Sequence, residues 1–134
     1  MEIKRDRYVK KLLDRKENGL VKVITGIRRC GKSYLLFQLY KKELISRGID
    51  KEHIITLALD DIENIEYREA IKLYNHIKAQ IKDDKVYYVF LDEIQMLSSN
   101  FADFINGLMH IDNLDIYVTG SNSRFLSSDI LTEF

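Results

Sequence analysis

The sequence predicts an α/β protein, with helices wrapped around a parallel sheet of at least four strands. Three observations predict it. Four short runs of β-branched, aromatic and aliphatic residues are nearly continuous rather than alternating, the pattern of strands covered on both faces. Between them lie stretches whose apolar residues recur three and four positions apart, the period of a helix packed on a sheet. The two kinds of segment alternate along the chain, which in a single sheet implies right-handed crossovers and a layered architecture.

The elements follow in order. An opening helix is expected over roughly Arg5 to Arg15, closing near Asn18-Gly19, where glycine supplies the left-handed turn that ends many helices. The first strand is VKVIT at 21–25. A helix from Ser33 to about Ser46 follows, carrying Leu35, Leu36, Leu39, Tyr40 and Leu44 on one face. The second strand is IITLAL at 54–59, and the next helix spans Tyr67 to Ile81 with Tyr67, Ala70, Ile71, Tyr74, Ile77 and Ile81 at helical spacing. The third strand is VYYVFL at 86–91. A weaker helical stretch then carries Phe101, Phe104, Ile105, Leu108 and Met109, with Ser99 or Asn100 as its N-cap, before the fourth strand, DIYVT at 115–119.

Composition narrows the function classes. With 134 residues, no repeat and no Gly/Ser/Pro-rich linker, residues 1–134 read as one domain. Hydrophobic residues at 46% and charged residues at 31% are those of an ordinary globular protein. Lys+Arg and Asp+Glu number 21 each, so there is no overall basic field to draw nucleic acid or an anionic membrane; local patches leave nucleic acid open as a partner, but it is not indicated. The apolar runs are far shorter than the ~20 residues of a membrane span, and the charged start MEIKRDRYVKKLL does not suit a secretory segment. A cytoplasmic location is expected, and the single cysteine, Cys30, agrees with a reducing compartment.

The chemistry concentrates after the first strand, in Gly26-Ile27-Arg28-Arg29-Cys30-Gly31-Lys32-Ser33, a complete G-x-x-x-x-G-K-[ST] string between a strand and a helix. Glycines let successive N–H groups curl around a phosphate, and the following helix start adds its partial positive charge. Lys32 then reaches the β- and γ-phosphates, and the Ser33 hydroxyl completes a Mg2+ shell. The candidate nucleotide-binding set thus runs from Gly26, Ile27, Arg28, Arg29, Cys30 and Gly31 through Lys32 and Ser33 to Tyr34. Without a ligand, the same string would be a glycine-rich tight turn.

The third strand runs into Asp92-Glu93, and carboxylates at the C-terminal end of a parallel strand face the same crevice as a phosphate loop. Asp92 is the candidate to hold the metal opposite Ser33, and Glu93 to orient and deprotonate the attacking water. The fourth strand ends in Thr119-Gly120-Ser121-Asn122-Ser123, where Asn122 or Ser121 can bond the γ-phosphate or that water; turn formation is the competing use of these residues. Asp60-Asp61, after the second strand, reads first as a helix N-cap and second as a contact to the metal's water shell or a restraint on Glu93. His53, His76 and His110 lack metal-type spacing and are expected at the surface, while the eight tyrosines read mainly as core or interface.

With GIRRCGKS, VYYVFLDEIQ and VTGSNSRFLS in hand, the chain resembles the N-terminal ATPase domain of prokaryotic AAA-type P-loop ATPases, over almost its whole length. The resemblance implies a three-layer fold with strands in the order five-one-four-three-two. It puts Lys32 and Ser33 at the Walker A positions, Asp92 and Glu93 at Walker B, and Asn122 or Ser121 at sensor 1. It also implies an arm around Arg7 and Tyr8 near the adenine. Such domains continue into a fifth strand and a helical lid that supplies sensor 2 and, in oligomers, an arginine finger. Neither is legible before Phe134, so the sequence predicts truncation before the fifth strand, an exposed edge at the first strand, and a fragment of a longer protein.

The implied function is Mg-dependent ATP binding with ATP hydrolysis, the catalytic residues being Glu93, Lys32 and Asn122 and the metal ligands Ser33 and Asp92. Partners implied are ATP, the chain's own missing C-terminal domain or a partner protein, and, in oligomers, further copies of itself. The alternative is a nucleotide-gated protein-interaction module that binds ATP with little or no turnover. A dinucleotide fold is disfavoured because four residues separate the loop glycines where G-x-G-x-x-G needs one and then two.

Overall fold

The computed structural model describes residues 2–25, 31–98, 101–120 and 128–131. Strands β1 (Val21–Ile24), β2 (Ile54–Ala58), β3 (Tyr87–Asp92), β4 (Leu114–Thr119) and β5 (Ser128–Leu131) form one sheet in the order β2-β3-β4-β1-β5, every pair parallel. The helices are α1 (Glu2–Asp14), α2 over residues 32–46, α3 (Ala70–Ala79) and α4 (Phe101–Met109). From β1 the chain passes over β4 and β3 to reach β2, returns one strand at a time to β4, and finally crosses β1 to add β5 at its far side. That reversal, with crossovers of a single hand, puts the intervening helices on opposite faces of the sheet.

The two faces are visible in the burial. Val21, Val23, Val89, Leu91, Ile116 and Val118 pack with Leu73 and Ile77 of α3 and Phe104 and Leu108 of α4. The alternate residues Ile24, Tyr88, Phe90 and Tyr117 pack with Tyr8 and Leu12 of α1 and Leu35, Leu36, Tyr40 and Leu44 of α2. Strands sandwiched in this way have no polar face, which is why their sequence runs are continuous. Each fully buried side chain of this size contributes about 1.5–3 kcal/mol. Among the described residues no helix is long and apolar enough to cross a membrane.

The fifth strand corrects the sequence reading. Val21 to Ile24 align with Ser128 to Leu131, so β1 lies inside the sheet and the exposed first-strand edge disappears. The strand is four residues long and opens on Ser128-Asp129, too brief and too polar at its start to show an apolar run. The order is the five-one-four-three-two arrangement that the resemblance implies. The helix expected from Tyr67 is split as well. A 3-10 segment covers Ile62–Arg68, Glu69 adopts extended backbone at φ −91°, ψ 126°, and α3 begins only at Ala70. The Asp61 carboxylate caps that 3-10 segment, accepting from Glu63 N at 3.0 Å, as expected of an N-cap. Helix α2 includes a π-helical stretch, Leu35–Tyr40, one turn beyond Lys32. Ser99 and Asn100, the expected cap of α4, lie outside the described residues.

At the end of the sheet where β1 and β4 begin, the core holds charge. Lys22 is fully buried and its ammonium pairs with Asp115 of β4, while also donating to Asn18 Oδ1 at 3.1 Å. The other Asp115 oxygen accepts from Tyr117 Oη at 2.7 Å and Glu17 N at 2.9 Å, and Tyr117 Oη lies 2.7 Å from Tyr40 Oη. Burial first, with neighbouring Asp115 behind it, pushes the Tyr117 phenol well above its ordinary value. His53 also departs from the expected surface role. It is buried against the Tyr87 ring and held by Asp83 at 3.0 Å.

Candidate functional site

The parallel register brings the C-terminal ends of β1, β3 and β4 to one edge. Lys22 to Ile24 run beside Tyr117 to Thr119, and Leu91 runs beside Val118, so Asp92 and Thr119 arrive together. Ala58, the last residue of β2, pairs with Asp92 from the other side. This is the edge where open parallel sheets hold ligands.

On the helix side, Gly31 stands before α2 with φ 85° and ψ 21°, a left-handed conformation that costs glycine nothing, and its carbonyl accepts Leu35 N at 2.8 Å. The rest of the predicted phosphate loop, Gly26, Ile27, Arg28, Arg29 and Cys30, lies outside the described residues, as do Ser121 and Asn122. Lys32 is 4% exposed, and its ammonium donates to the Gly120 carbonyl just past β4 at 3.3 Å. Ser33 Oγ donates to Asp92 Oδ2 at 2.5 Å. Tyr34, next in line, turns to solvent with 45% of its surface exposed. Tyr8, from the arm that the resemblance places near a base, is buried against α2 and the sheet.

Asp92 is buried at the end of β3 and fastened on both oxygens, since Thr119 Oγ1 donates to Oδ1 at 2.5 Å while Ser33 holds Oδ2. The same Thr119 oxygen accepts Glu93 N at 2.8 Å. Glu93 itself has φ 57° and ψ 57°, a left-handed backbone uncommon for a residue with a side chain. Such strain persists where surrounding contacts over-determine it, and it clusters at functional positions. The Glu93 carboxylate accepts Gln95 Nε2 at 2.6 Å. Asp60, just beyond β2, completes a group: single carboxylate oxygens of Asp60, Asp92 and Glu93 lie within 4.8 Å of one another. Hard oxygen donors of this kind suit Mg2+ far better than a soft metal.

The structure therefore joins Lys32, Ser33, Asp92 and Glu93 at one edge, sets Asp60 beside the acid pair, where the second reading of Asp60-Asp61 had it, and adds Thr119 and Gln95. Thr119 and Gln95 carried no signal in the sequence. A threonine ending a strand is ordinary, and only its register against Asp92 reveals the contact. A separate surface hollow of about 330 Å³ lies between α3 and α4, lined by Tyr74, Phe104 and Gly107, and none of its residues belongs to this group.

The model of a family described as an AAA domain matches residues 18–134. An uncharacterized protein of Haemophilus influenzae is 34% identical over 132 residues, covering 97% of this chain and 32% of that protein. An uncharacterized protein of Methanocaldococcus jannaschii is 36% identical over 116 residues, covering 84% of this chain and 23% of its own length. The chain thus spans a third or less of these curated relatives. Among solved structures, a DNA replication initiation factor aligns with a TM-score of 0.59 at 20% identity, covering 94% of this chain and 44% of the other. AMPPCP-bound DnaA from Aquifex aeolicus aligns with a TM-score of 0.57 at 19% identity, covering 93% and 43%. Drosophila ORC bound to AT-rich DNA and Cdc6 gives a TM-score of 0.56 at 13% identity, covering 89% and 46%. At these identities the likeness to solved structures is one of fold.

Proposed function

The chain belongs to the AAA domain family, and from that premise we propose that residues 1–134 are one P-loop core domain that binds Mg-ATP and hydrolyses it. The observation that carries the reading is the contact between Ser33 and Asp92, 59 positions apart in sequence and joined at 2.5 Å. A hydroxyl at a helix start facing a buried carboxylate at a strand end is the pair a triphosphate-bound Mg2+ requires. The three converging carboxylates supply the negative field that favours a small divalent cation. When bound, the ion would neutralise charge developing on the phosphates.

The chain's own residues divide the remaining work. Backbone amides of Gly26 to Gly31 cradle the phosphates, and Lys32 lies where the helix starts, its ammonium now parked on Gly120 O and free to exchange that weak contact for phosphate oxygens. Glu93 takes a proton from water as the water oxygen attacks the γ-phosphorus, and the bond to the β–γ bridging oxygen breaks to release ADP. Asn122 or Ser121 bonds the γ-phosphate from the β4 loop.

Nucleotide binding and phosphate release, measured side by side, test the reading. Wild type is expected to bind Mg-ATP and release phosphate. Lys32→Ala is expected to lose binding by at least about tenfold, and Glu93→Gln to keep binding while losing roughly 100-fold or more in turnover. Equal turnover in wild type and Glu93→Gln would remove Glu93 from the chemistry. Binding without any turnover in wild type would instead favour a nucleotide-gated interaction module.

A further inference from the structure

We propose that Gln95 positions Glu93 and serves as the second acceptor for the water that attacks the γ-phosphate. The inference rests on the hydrolytic reading above and adds to it a residue outside the strand-end acid pair. Three observations converge on it. The chain turns sharply after β3, through left-handed Glu93 and the single 3-10 turn Ile94–Met96, which returns Gln95 to the Glu93 side chain. Gln95 Nε2 then donates to Glu93 Oε1 at 2.6 Å, a close contact between an amide N–H and a carboxylate oxygen. And Gln95 Oε1 is buried without a hydrogen-bond partner, the sole such side-chain atom among the described residues.

The last observation decides the function. Buried polar atoms are almost always paired, so an unpaired acceptor beside a candidate general base is an acceptor whose donor arrives with the substrate. The amide cannot be turned to relieve it, because the reversed orientation would set a carbonyl oxygen against the Glu93 carboxylate. Water has two hydrogens and one is given to Glu93. The other O–H stays intact and donates a hydrogen bond to Gln95 Oε1, leaving an oxygen lone pair for phosphorus. As an amide, Gln95 takes up no proton itself; the proton goes to Glu93, and its role is to fix where the base and the water stand.

The test uses Gln95→Met, which keeps the length but neither polar atom, and Gln95→Glu, which keeps the shape but loses the donor. For both, kcat is expected to fall about 10- to 100-fold while the Kd for Mg-AMPPCP stays within about twofold. In a Glu93→Gln background, Gln95→Met is expected to cost clearly less than in wild type, because the part of its effect that passes through the Glu93 carboxylate is already lost. Unchanged kcat, or an equal loss with and without the Glu93 carboxylate, overturns the proposal. Should wild type bind Mg-AMPPCP yet turn nothing over, the hydrolytic reading fails on its own, and a crystal of that complex decides the remainder. A water bonded to both Gln95 Oε1 and Glu93 is expected there; Gln95 Oε1 left bare, or bonded to protein, contradicts it. The crystal also decides if both variants misfold, and a protein that does not bind Mg-AMPPCP sinks both readings.

Discussion

Replacing Thr119 by valine keeps the shape and burial of the side chain and deletes only its hydroxyl. That hydroxyl donates to Asp92 Oδ1 at 2.5 Å and accepts Glu93 N at 2.8 Å, at a position with no solvent exposure. A hydrogen bond to a charged group contributes about 1.5–3 kcal/mol, and orphaning a buried N–H costs about 1–3 kcal/mol. The two losses share one atom and do not add fully, so about 2–4 kcal/mol is expected for Thr119→Val. Thr119→Ser keeps both bonds and gives up one buried methyl, about 1 kcal/mol. In urea unfolding, with a slope of about 1–3 kcal/mol/M, the valine midpoint should fall by about 1–2 M and the serine midpoint by roughly half a unit or less. Valine is the better strand former and the more apolar of the two. A valine protein as stable as the serine protein would therefore show that the hydroxyl is idle and that the clamp on Asp92 and Glu93 does not exist.

Other outcomes follow from the charged end of the core. Asp115→Ala leaves the Lys22 ammonium buried with Asn18 as its remaining acceptor, at an expected cost of about 3–5 kcal/mol by urea unfolding. Adding Lys22→Met with Asp115→Leu should recover most of that loss; a double variant no more stable than the single one contradicts the buried pair. Glu17 is held below its ordinary value of 4.5, first by the Lys16 hydrogen bond and then by Tyr88. A depressed carboxyl stabilises the fold above its unfolded value and loses that contribution as the pH falls through the folded one. Glu17→Gln is thus expected to be slightly less stable than wild type at neutral pH, by under about 1 kcal/mol because the group is largely exposed, and equal to it well below pH 4.5. A gap that persists in acid would assign the effect to packing.

Lys32, Ser33, Asp92 and Glu93 were legible because each sits in a short motif whose strand and helix context could be read from hydrophobic periodicity, and the structure brings those four side chains to one edge. Thr119 and Gln95 were not legible, since each acquires meaning through one tertiary contact and neither residue type is unusual at its position. The Lys22–Asp115 pair was half-visible: opposite charges stand inside VKVIT and DIYVT, two runs read as buried, and a buried strand lysine requires a partner. Strand β5 has no signature in the sequence because pairing with β1 asks only for backbone groups, which leave no apolar pattern in four residues. The break at Glu69 was hidden for a different reason, because Tyr67 and Ala70 keep helical spacing on either side of a residue with extended backbone.

A divalent cation and a nucleoside triphosphate are expected to meet at the C-terminal ends of β1, β3 and β4. Substituting paramagnetic Mn2+ for Mg2+ in the AMPPCP complex and recording amide spectra tests this placement directly. Ser33, Asp92, Glu93, Thr119 and Gly120 are expected to broaden most, and Glu17, Lys22 and Asp115, at the opposite end of the sheet, least. Broadening centred on Glu17 and Asp115, or spread evenly over the chain, would contradict it.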